Sequence, residues 1–154
     1  MKLSPVFATA FACLCIASGC TPAPHLFAPS EFAELHDQRS YDYRATSAQG
    51  IVLAVRTEPN KPRANVDFWV DAIDVRLRRQ GYVAEKSLSV QSDSGAIGKQ
   101  IRYTRVEPDR RTYCYWVTLF ASNDKLYIVE AGGDQEAFKP AEGTVEKAVL
   151  SLRN

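Results

Sequence analysis

Three carboxylates surround a pair of glycines late in the sequence. Glu130 precedes Gly132-Gly133, and Asp134 and Glu136 follow. Carboxylate oxygens ligate hard cations, and two neighbouring carboxylates can act as a general acid and a general base. The same residues are more typical of a turn in which the glycines bend the chain and Asp134 begins a helical turn. A hydrolase interpretation of this protein depends on Glu130 and Asp134.

A second candidate site combines basic and aromatic side chains on one predicted hairpin. Such residues can form a binding surface, or the arginine stems can simply cover aromatic rings at a sheet edge. The residues of this candidate binding surface are Arg102, Tyr103, Arg105, Arg111, Tyr113, Tyr115 and Trp116, with Arg110 beside them.

Other familiar catalytic and metal-binding patterns are missing from the sequence. His25 and His36 have no second ligand at zinc spacing, and the serines of Ser92-Asp93-Ser94-Gly95 lie in a predicted turn without a histidine partner. The run Gly95-Ala96-Ile97-Gly98-Lys99 lacks phosphate-loop spacing, so we expect its glycines to permit a hairpin turn. Cys114 lies in an aromatic, strand-like run and is expected to be a small buried hydrophobe. We therefore expect no metal and no cofactor.

The length and charge of the chain limit the possible classes of protein. Its 154 residues suit a single domain, and 45% hydrophobic residues exclude a disordered chain. Lys2 is the only charged residue among the first twenty, and without it the basic and acidic side chains are equal in number. A neutral chain has no overall field that attracts nucleic acid, which we therefore exclude as a partner.

Hydrophobic periodicity and turn residues predict the order helix, two strands, helix, four strands, helix. Ser30 is expected to cap the first helix, Asn65 to cap the second, and Gly81 to end the second. Gly132-Gly133-Asp134 is expected to turn the chain before a short helical turn over Gln135 to Phe138. The predicted helices are Ser30 to Gln38, Val66 to Gln80 and Glu142 to Leu152, and the predicted strands are Tyr41 to Ala45, Ile51 to Arg56, Tyr82 to Val90, Lys99 to Val106, Arg111 to Ala121 and Leu126 to Ala131. Together they predict an α+β domain over residues 30–154 with a largely antiparallel sheet of about six strands.

The first twenty residues have the pattern of an export signal. Met1-Lys2 gives a positive start, and the apolar run from Val6 to Ala17 is too short to span a bilayer. Ile16-Ala17-Ser18-Gly19-Cys20 resembles a bacterial lipobox, although Ala17 stands where leucine is commoner. That resemblance implies a signal peptide over residues 1–19, a diacylglycerol on the Cys20 sulfur and, because Thr21 follows, the outer membrane facing the periplasm. The proline-rich residues 20–29 are predicted to form an extended tether.

The domain itself resembles the superfamily that includes the photosystem protein PsbP, the nuclear-transport factor Mog1 and the envelope lipoprotein DcrB. The resemblance rests on Ile51 to Val55, on Leu77-Arg78-Arg79-Gln80-Gly81-Tyr82, on the Gly95/Gly98 hairpin and on Tyr127 to Gly133 with Phe138 before a last helix. It covers about Tyr41 to Leu152 and implies an α/β/α sandwich with a non-enzymatic accessory role.

These observations predict a lipid-anchored envelope protein that binds or stabilises another envelope component without catalysis. Its expected partners are the membrane, through the lipid on Cys20, and an unidentified envelope protein. One alternative is a carrier that holds a small or lipidic ligand between sheet and helix, in a pocket lined by Trp69 and Trp116. The other alternative is the hydrolase centred on Glu130 and Asp134.

Overall fold

A computed structural model of the chain describes residues 23–36 and 40–153. The predicted signal peptide and Cys20 lie outside the described residues. Within those residues the chain forms seven strands and two helices. They are β1 (Phe32–Glu34), β2 (Tyr43–Ser47), β3 (Val52–Pro59), α1 (Val66–Arg79), β4 (Val83–Gln91), β5 (Ile97–Val106), β6 (Thr112–Ala121), β7 (Lys125–Asp134) and α2 (Gln135–Leu150).

The strands form one antiparallel sheet in the order β1-β2-β3-β7-β6-β5-β4. Helix α1 packs against β4, β5 and β6, and α2 packs against β6 and β7. Alternate residues of the central strand β6 enter two separate hydrophobic clusters: Val117 and Leu119 lie in the cluster under α1, whereas Trp116 and Phe120 lie in the cluster under α2. The predicted α+β fold, with helices on both faces of the sheet, is confirmed.

Helix α1 follows its local sequence closely. The Asn65 side chain accepts a hydrogen bond from the backbone N–H of Phe68 at 3.0 Å, as expected of an N-cap. The helix ends before Gly81, whose φ of +89° suits glycine. Its first turn is fixed to the sheet by Asn60, whose side chain accepts from Trp69 Nε1 at 2.7 Å and donates to the backbone oxygen of Ser122 at 2.8 Å.

The predicted helix over Ser30 to Gln38 is wrong for the residues that the structure describes, because Phe32–Glu34 forms β1. This segment pairs antiparallel with β2 at the edge of the sheet, and Phe32 is buried in the core cluster under α2. Long-range pairing and burial therefore outweigh the helix-capping pattern at Ser30.

The predicted turn at Gly132-Gly133-Asp134 is also wrong, because β7 continues through all three residues. A Cβ on Gly132 would lie 3.2 Å from the backbone oxygen of Cys114, so glycine permits close strand pairing here. Asp134 then caps a single helix, since its side chain accepts from the backbone N–H of Glu136 at 2.9 Å. The predicted helical turn and last helix are thus one element, α2, which includes Pro140.

The predicted tether is packed against the domain over much of its length. Leu26 is only 3% exposed, and His25 forms a β-bridge with Arg153. Hydrophobic burial of Leu26 holds the described part of this segment, residues 23–29, against the domain. Neither helix of the described chain combines the length and hydrophobicity that a membrane crossing requires.

Candidate functional site

Helix α1 packs over β4, β5 and β6 and over Leu126 and Ile128 of β7, and it leaves β2, β3 and the Glu130 end of β7 open beside it. Two depressions of about 390 and 300 Å³ lie on this open area, and they share Tyr41, Tyr115 and Glu130. We call these two adjoining depressions together the tyrosine groove. Its lining includes four tyrosines, three arginines and two glutamates, namely Tyr41, Tyr82, Tyr113, Tyr115, Arg44, Arg56, Arg76, Glu58 and Glu130.

The floor of the groove is an ion pair extended by hydrogen bonds. Arg56 Nε donates to Glu130 Oε2 at 3.3 Å, and the Tyr115 hydroxyl donates to Glu130 Oε1. The strand register brings these residues together, since Glu130 lies opposite Ala54 on β3 and Val117 on β6. A further ion pair at 3.3 Å joins Arg56 to the more exposed Glu58. Both oxygens of the Glu130 carboxylate are therefore occupied.

Burial raises the pKa of the Tyr115 hydroxyl well above its usual range, and the neighbouring charge of Glu130 and the hydrogen bond to it raise it further. The Arg56 guanidinium lowers the same pKa but does not offset these effects. For Arg56 itself, burial lowers the pKa, whereas the charge and hydrogen bond of Glu130 raise it, with a net increase. Tyr115 is therefore neutral and Arg56 charged at physiological pH.

The wall beside α1 is aromatic. The rings of Tyr82 and Tyr115 have centroids 5.4 Å apart, and the guanidinium of Arg105 lies 4.9 Å from the centroid of Tyr82. Below them, the buried Tyr103 donates from its hydroxyl to Asp74 on α1 at 3.0 Å. This hydrogen bond fixes the helix that carries Arg76 over the sheet.

The raised pKa of Tyr115 predicts a pH effect on stability. An unfolded tyrosine ionises near pH 10, whereas the folded state keeps Tyr115 protonated, so its contribution is full below about pH 10 and is lost as pH rises further. We expect Tyr115→Phe to be less stable than the wild type at about pH 8, because one hydrogen bond is lost, and the difference to shrink by about pH 11. Urea unfolding at both pH values measures this, and a difference that widens with pH would contradict it.

The structure confirms the predicted hairpin of β5 and β6 but places the seven residues of the candidate binding surface on both faces of the sheet. The Arg102 guanidinium lies 3.7 Å from the ring centroid of Trp116 on the α2 face, and it forms an ion pair with Glu146 at 2.8 Å. Tyr103 is buried beneath α1. The other four residues lie on the α1 face of the hairpin or near its β5–β6 turn. Tyr113 and Tyr115 line the groove. Arg105 forms an ion pair with Glu107, and Arg111 forms one with Asp109. These seven side chains therefore form no common surface.

The expected ligand pocket between Trp69 and Trp116 is not formed. Trp69 packs against the cluster under α1, whereas Trp116 lies in the cluster under α2 with its ring 5.0 Å from that of Phe138. The sheet separates the two indoles, so no single cavity can contact both.

The carboxylates near the glycines are likewise separated. Glu130 lies in the groove floor, whereas Asp134 is four residues farther along β7, about 13 Å away by strand geometry, and caps α2. Among residues 23–36 and 40–153, no three histidine, cysteine or acidic side chains are placed to hold a metal ion. Cys114 is buried in the core, as expected, and burial raises the pKa of its thiol. Gly95 has a φ of +88°, which confirms the turn.

Sequence reasoning missed several residues of the groove, including Tyr41, Arg44, Arg56 and Tyr82. The sequence does contain one signal for the groove floor. Arg56 and Glu130 each follow directly on an apolar strand run, where a charged residue is unusual. Two such residues of opposite sign can be paired only once β3 is known to lie beside β7.

Comparisons with known proteins show the fold. No protein-family model and no curated protein sequence matches the chain. Solved structures that resemble it include LpqN of Mycobacterium tuberculosis, described as involved in cell envelope biogenesis, with a TM-score of 0.65 and 9% identity over 86% of this chain and 83% of that one. PA94 of Pseudomonas aeruginosa, a protein of unknown function, has a TM-score of 0.57 and 11% identity over 90% and 87%. Cyanobacterial PsbP from Synechocystis sp. PCC 6803 has a TM-score of 0.55 and 10% identity over 90% and 96%, and the chain thus has a PsbP-like α+β fold.

Proposed function

We propose that this chain is a lipid-anchored accessory protein of the bacterial cell envelope that binds another envelope component through the tyrosine groove, without catalysis. The observation that carries the proposal is the groove itself. Its floor is internally paired by Glu130, Arg56 and Tyr115, and its walls present further tyrosines and arginines.

The composition of the groove suits recognition of a protein. Tyrosine and arginine supply large contact areas and are enriched among the residues that dominate binding energy at protein interfaces. The side chains of Arg56, Glu130 and Tyr115 are already ordered by their mutual hydrogen bonds. Binding of a partner to this surface therefore costs these side chains little conformational entropy. Arg76 lines the groove and forms no ion pair with any described residue, which favours an acidic or polar segment of the partner.

Two observations support the location. The lipobox-like segment ending at Cys20 implies export and lipid attachment, and the structural neighbour LpqN is described as involved in cell envelope biogenesis. The same two observations support an accessory role, for which the PsbP-like fold provides the scaffold.

A small ligand in the groove is the second candidate. The larger of the two depressions, about 390 Å³, falls within the usual range of ligand pockets, roughly 300–1,000 Å³. Native mass spectrometry of the full chain, purified in mild detergent, distinguishes the two candidates, because a retained small molecule adds a discrete mass. A hydrolytic role gains no support from Glu130, whose two oxygens accept hydrogen bonds, or from Asp134, which caps a helix.

The test compares two charge reversals on one helix. Arg76→Glu changes the wall of the groove, whereas Arg79→Glu, one turn later on α1, introduces the same charge outside its lining. Full-length wild type and both variants are produced in a bacterial host and purified with their partners in mild detergent, and quantitative mass spectrometry compares the proteins recovered.

We expect a stoichiometric envelope protein with the wild type and with Arg79→Glu, and a reduction of about tenfold or more with Arg76→Glu, which corresponds to about 1.4 kcal/mol. Equal recovery with both variants would contradict binding in the groove. Turnover of an envelope substrate that is lost in Glu130→Ala would contradict the non-catalytic role.

A further inference from the structure

The described chain begins at one end of the domain and is attached there by several contacts. His25 and Arg153 exchange backbone hydrogen bonds, both of 3.1 Å. Two residues later, the backbone N–H of Phe27 donates to the Ser151 hydroxyl at 2.8 Å, and the Leu26 side chain between them is buried. The chain is therefore fixed to the end of α2 from His25 onward.

This attachment limits how far a lipid on Cys20 can be from the domain. Four residues lie between Cys20 and His25, which makes five Cα-to-Cα steps, and a fully extended chain covers at most about 3.6 Å per step, so the two Cα atoms are at most about 18 Å apart. Strand β5 alone, from Ile97 to Val106, is about 30 Å long. An anchor on Cys20 thus holds the His25–Arg153 end of the domain close to the bilayer.

The surface at this end has the chemistry of a membrane contact. Phe27 is 79% exposed although it is a large aromatic residue. It borders a depression of about 500 Å³ that combines apolar residues such as Leu150 with the basic Lys147 and Arg153, and Asp93 is the one acidic residue in its lining. Aromatic and basic side chains together favour the interface of a bilayer that contains anionic lipids.

We propose that this anchor-end surface, comprising Phe27, Lys147 and Arg153, lies on an anionic phospholipid surface. Phe27 enters the interfacial region, and Lys147 and Arg153 contact lipid phosphates. The inference rests on the lipid anchor of the proposed function and adds an orientation to it. Because this surface borders α2 whereas the tyrosine groove lies on the α1 face, docking leaves the groove open to a partner.

Site-directed photo-cross-linking of the full chain in membranes tests the orientation. A benzophenone amino acid replaces Phe27 or, as the matched control, Val106, which is 66% exposed at the end of β5 remote from the turn that contains Asp93. Cells are grown with radioactive phosphate, irradiated and extracted, and the phospholipid attached to the purified protein is counted. The N-terminal peptide is analysed separately by mass spectrometry for lipid on Cys20.

We expect at least fivefold more phospholipid on position 27 than on position 106, and at least a threefold reduction at position 27 when Lys147→Glu and Arg153→Glu are combined in a variant with unchanged melting temperature. Two results on a lipidated chain would contradict the proposed orientation but not the proposed lipid anchor. They are equal labelling of positions 27 and 106, and cross-linking of position 27 to a protein. An unmodified Cys20 would overturn both the orientation and the anchor.

Discussion

Replacing Cys20 with serine is expected to release the protein from the membrane fraction completely. The variant lacks the thiol on which the diacylglycerol would be placed, and acyl chains contribute about 0.8 kcal/mol for each buried CH₂ group, so a chain with several acyl groups partitions almost entirely into the bilayer. Fractionation of cells that express the full-length wild type or Cys20→Ser, followed by immunoblotting and mass analysis of the N-terminal peptide, measures the effect.

Cys15→Ser is the matched control, since Cys15 lies in the same apolar segment directly after the bulky Leu14. The control is expected to behave as the wild type. Lipid anchoring would be contradicted if Cys20→Ser and the wild type were retained equally in the membrane fraction and both had an unmodified N-terminal peptide. That result would not bear on the fold or on the proposed role of the groove.

Removing the Glu130 carboxylate is expected to lower the free energy of unfolding by about 3 kcal/mol. Glu130 is 14% exposed, and Glu130→Ala leaves the Arg56 charge and the Tyr115 hydroxyl without their shared acceptor in a partly buried site. Urea denaturation of the chain at neutral pH, monitored by tryptophan fluorescence, gives this free energy.

Glu58→Ala provides the comparison, because Glu58 also pairs with Arg56 at 3.3 Å but is 50% exposed. Exposed pairs contribute about 0–1 kcal/mol, so we expect this variant to change the unfolding free energy by less than about 0.5 kcal/mol. A similar loss in both variants would mean that burial of the network is not what stabilises the groove floor.

Local sequence patterns predicted α1 accurately because its determinants are local. Asn65 caps the helix through a contact three residues away, the apolar positions recur at helical spacing, and Gly81 supplies the left-handed conformation that ends it. The alternation of residues along β6 likewise predicted a central strand, since both of its faces are buried in separate clusters.

The tyrosine groove could not be predicted because it depends on contacts between distant parts of the chain. Arg56 and Glu130 are 74 residues apart, and only the pairing of β3 with β7 makes them neighbours. The groove also requires α1 to cover β4 to β6 and leave β3 open, which no local pattern specifies. For the same reason, Trp69 and Trp116 were expected in one pocket although the sheet lies between them.

The errors near the ends of the chain have a similar cause. Ser30 and Glu31 resemble the start of a helix, but pairing with β2 makes Phe32–Glu34 a strand. The glycines of β7 resemble a turn, yet they lie inside a continuous strand. Because they lack a Cβ, the backbone of β7 can pack closely against Cys114 and Ile51. In both cases the local preference is weak, and a long-range contact decides the conformation.

Accessibility of the groove in living cells tests the central claim, that a partner occupies it. Ser40 is exposed and lines the groove, whereas Ser89 is exposed on the edge strand β4 outside it. Ser40→Cys and Ser89→Cys introduce the same thiol at these two places, and Cys114 adds little background because it is buried. The rate of maleimide labelling of each variant is measured in intact cells and again on the purified full chain in detergent.

We predict that Ser40→Cys reacts at least fivefold more slowly in cells than after purification, whereas Ser89→Cys reacts at similar rates in both. Equal protection factors at the two positions would contradict occupancy of the groove, and with it the proposed binding role.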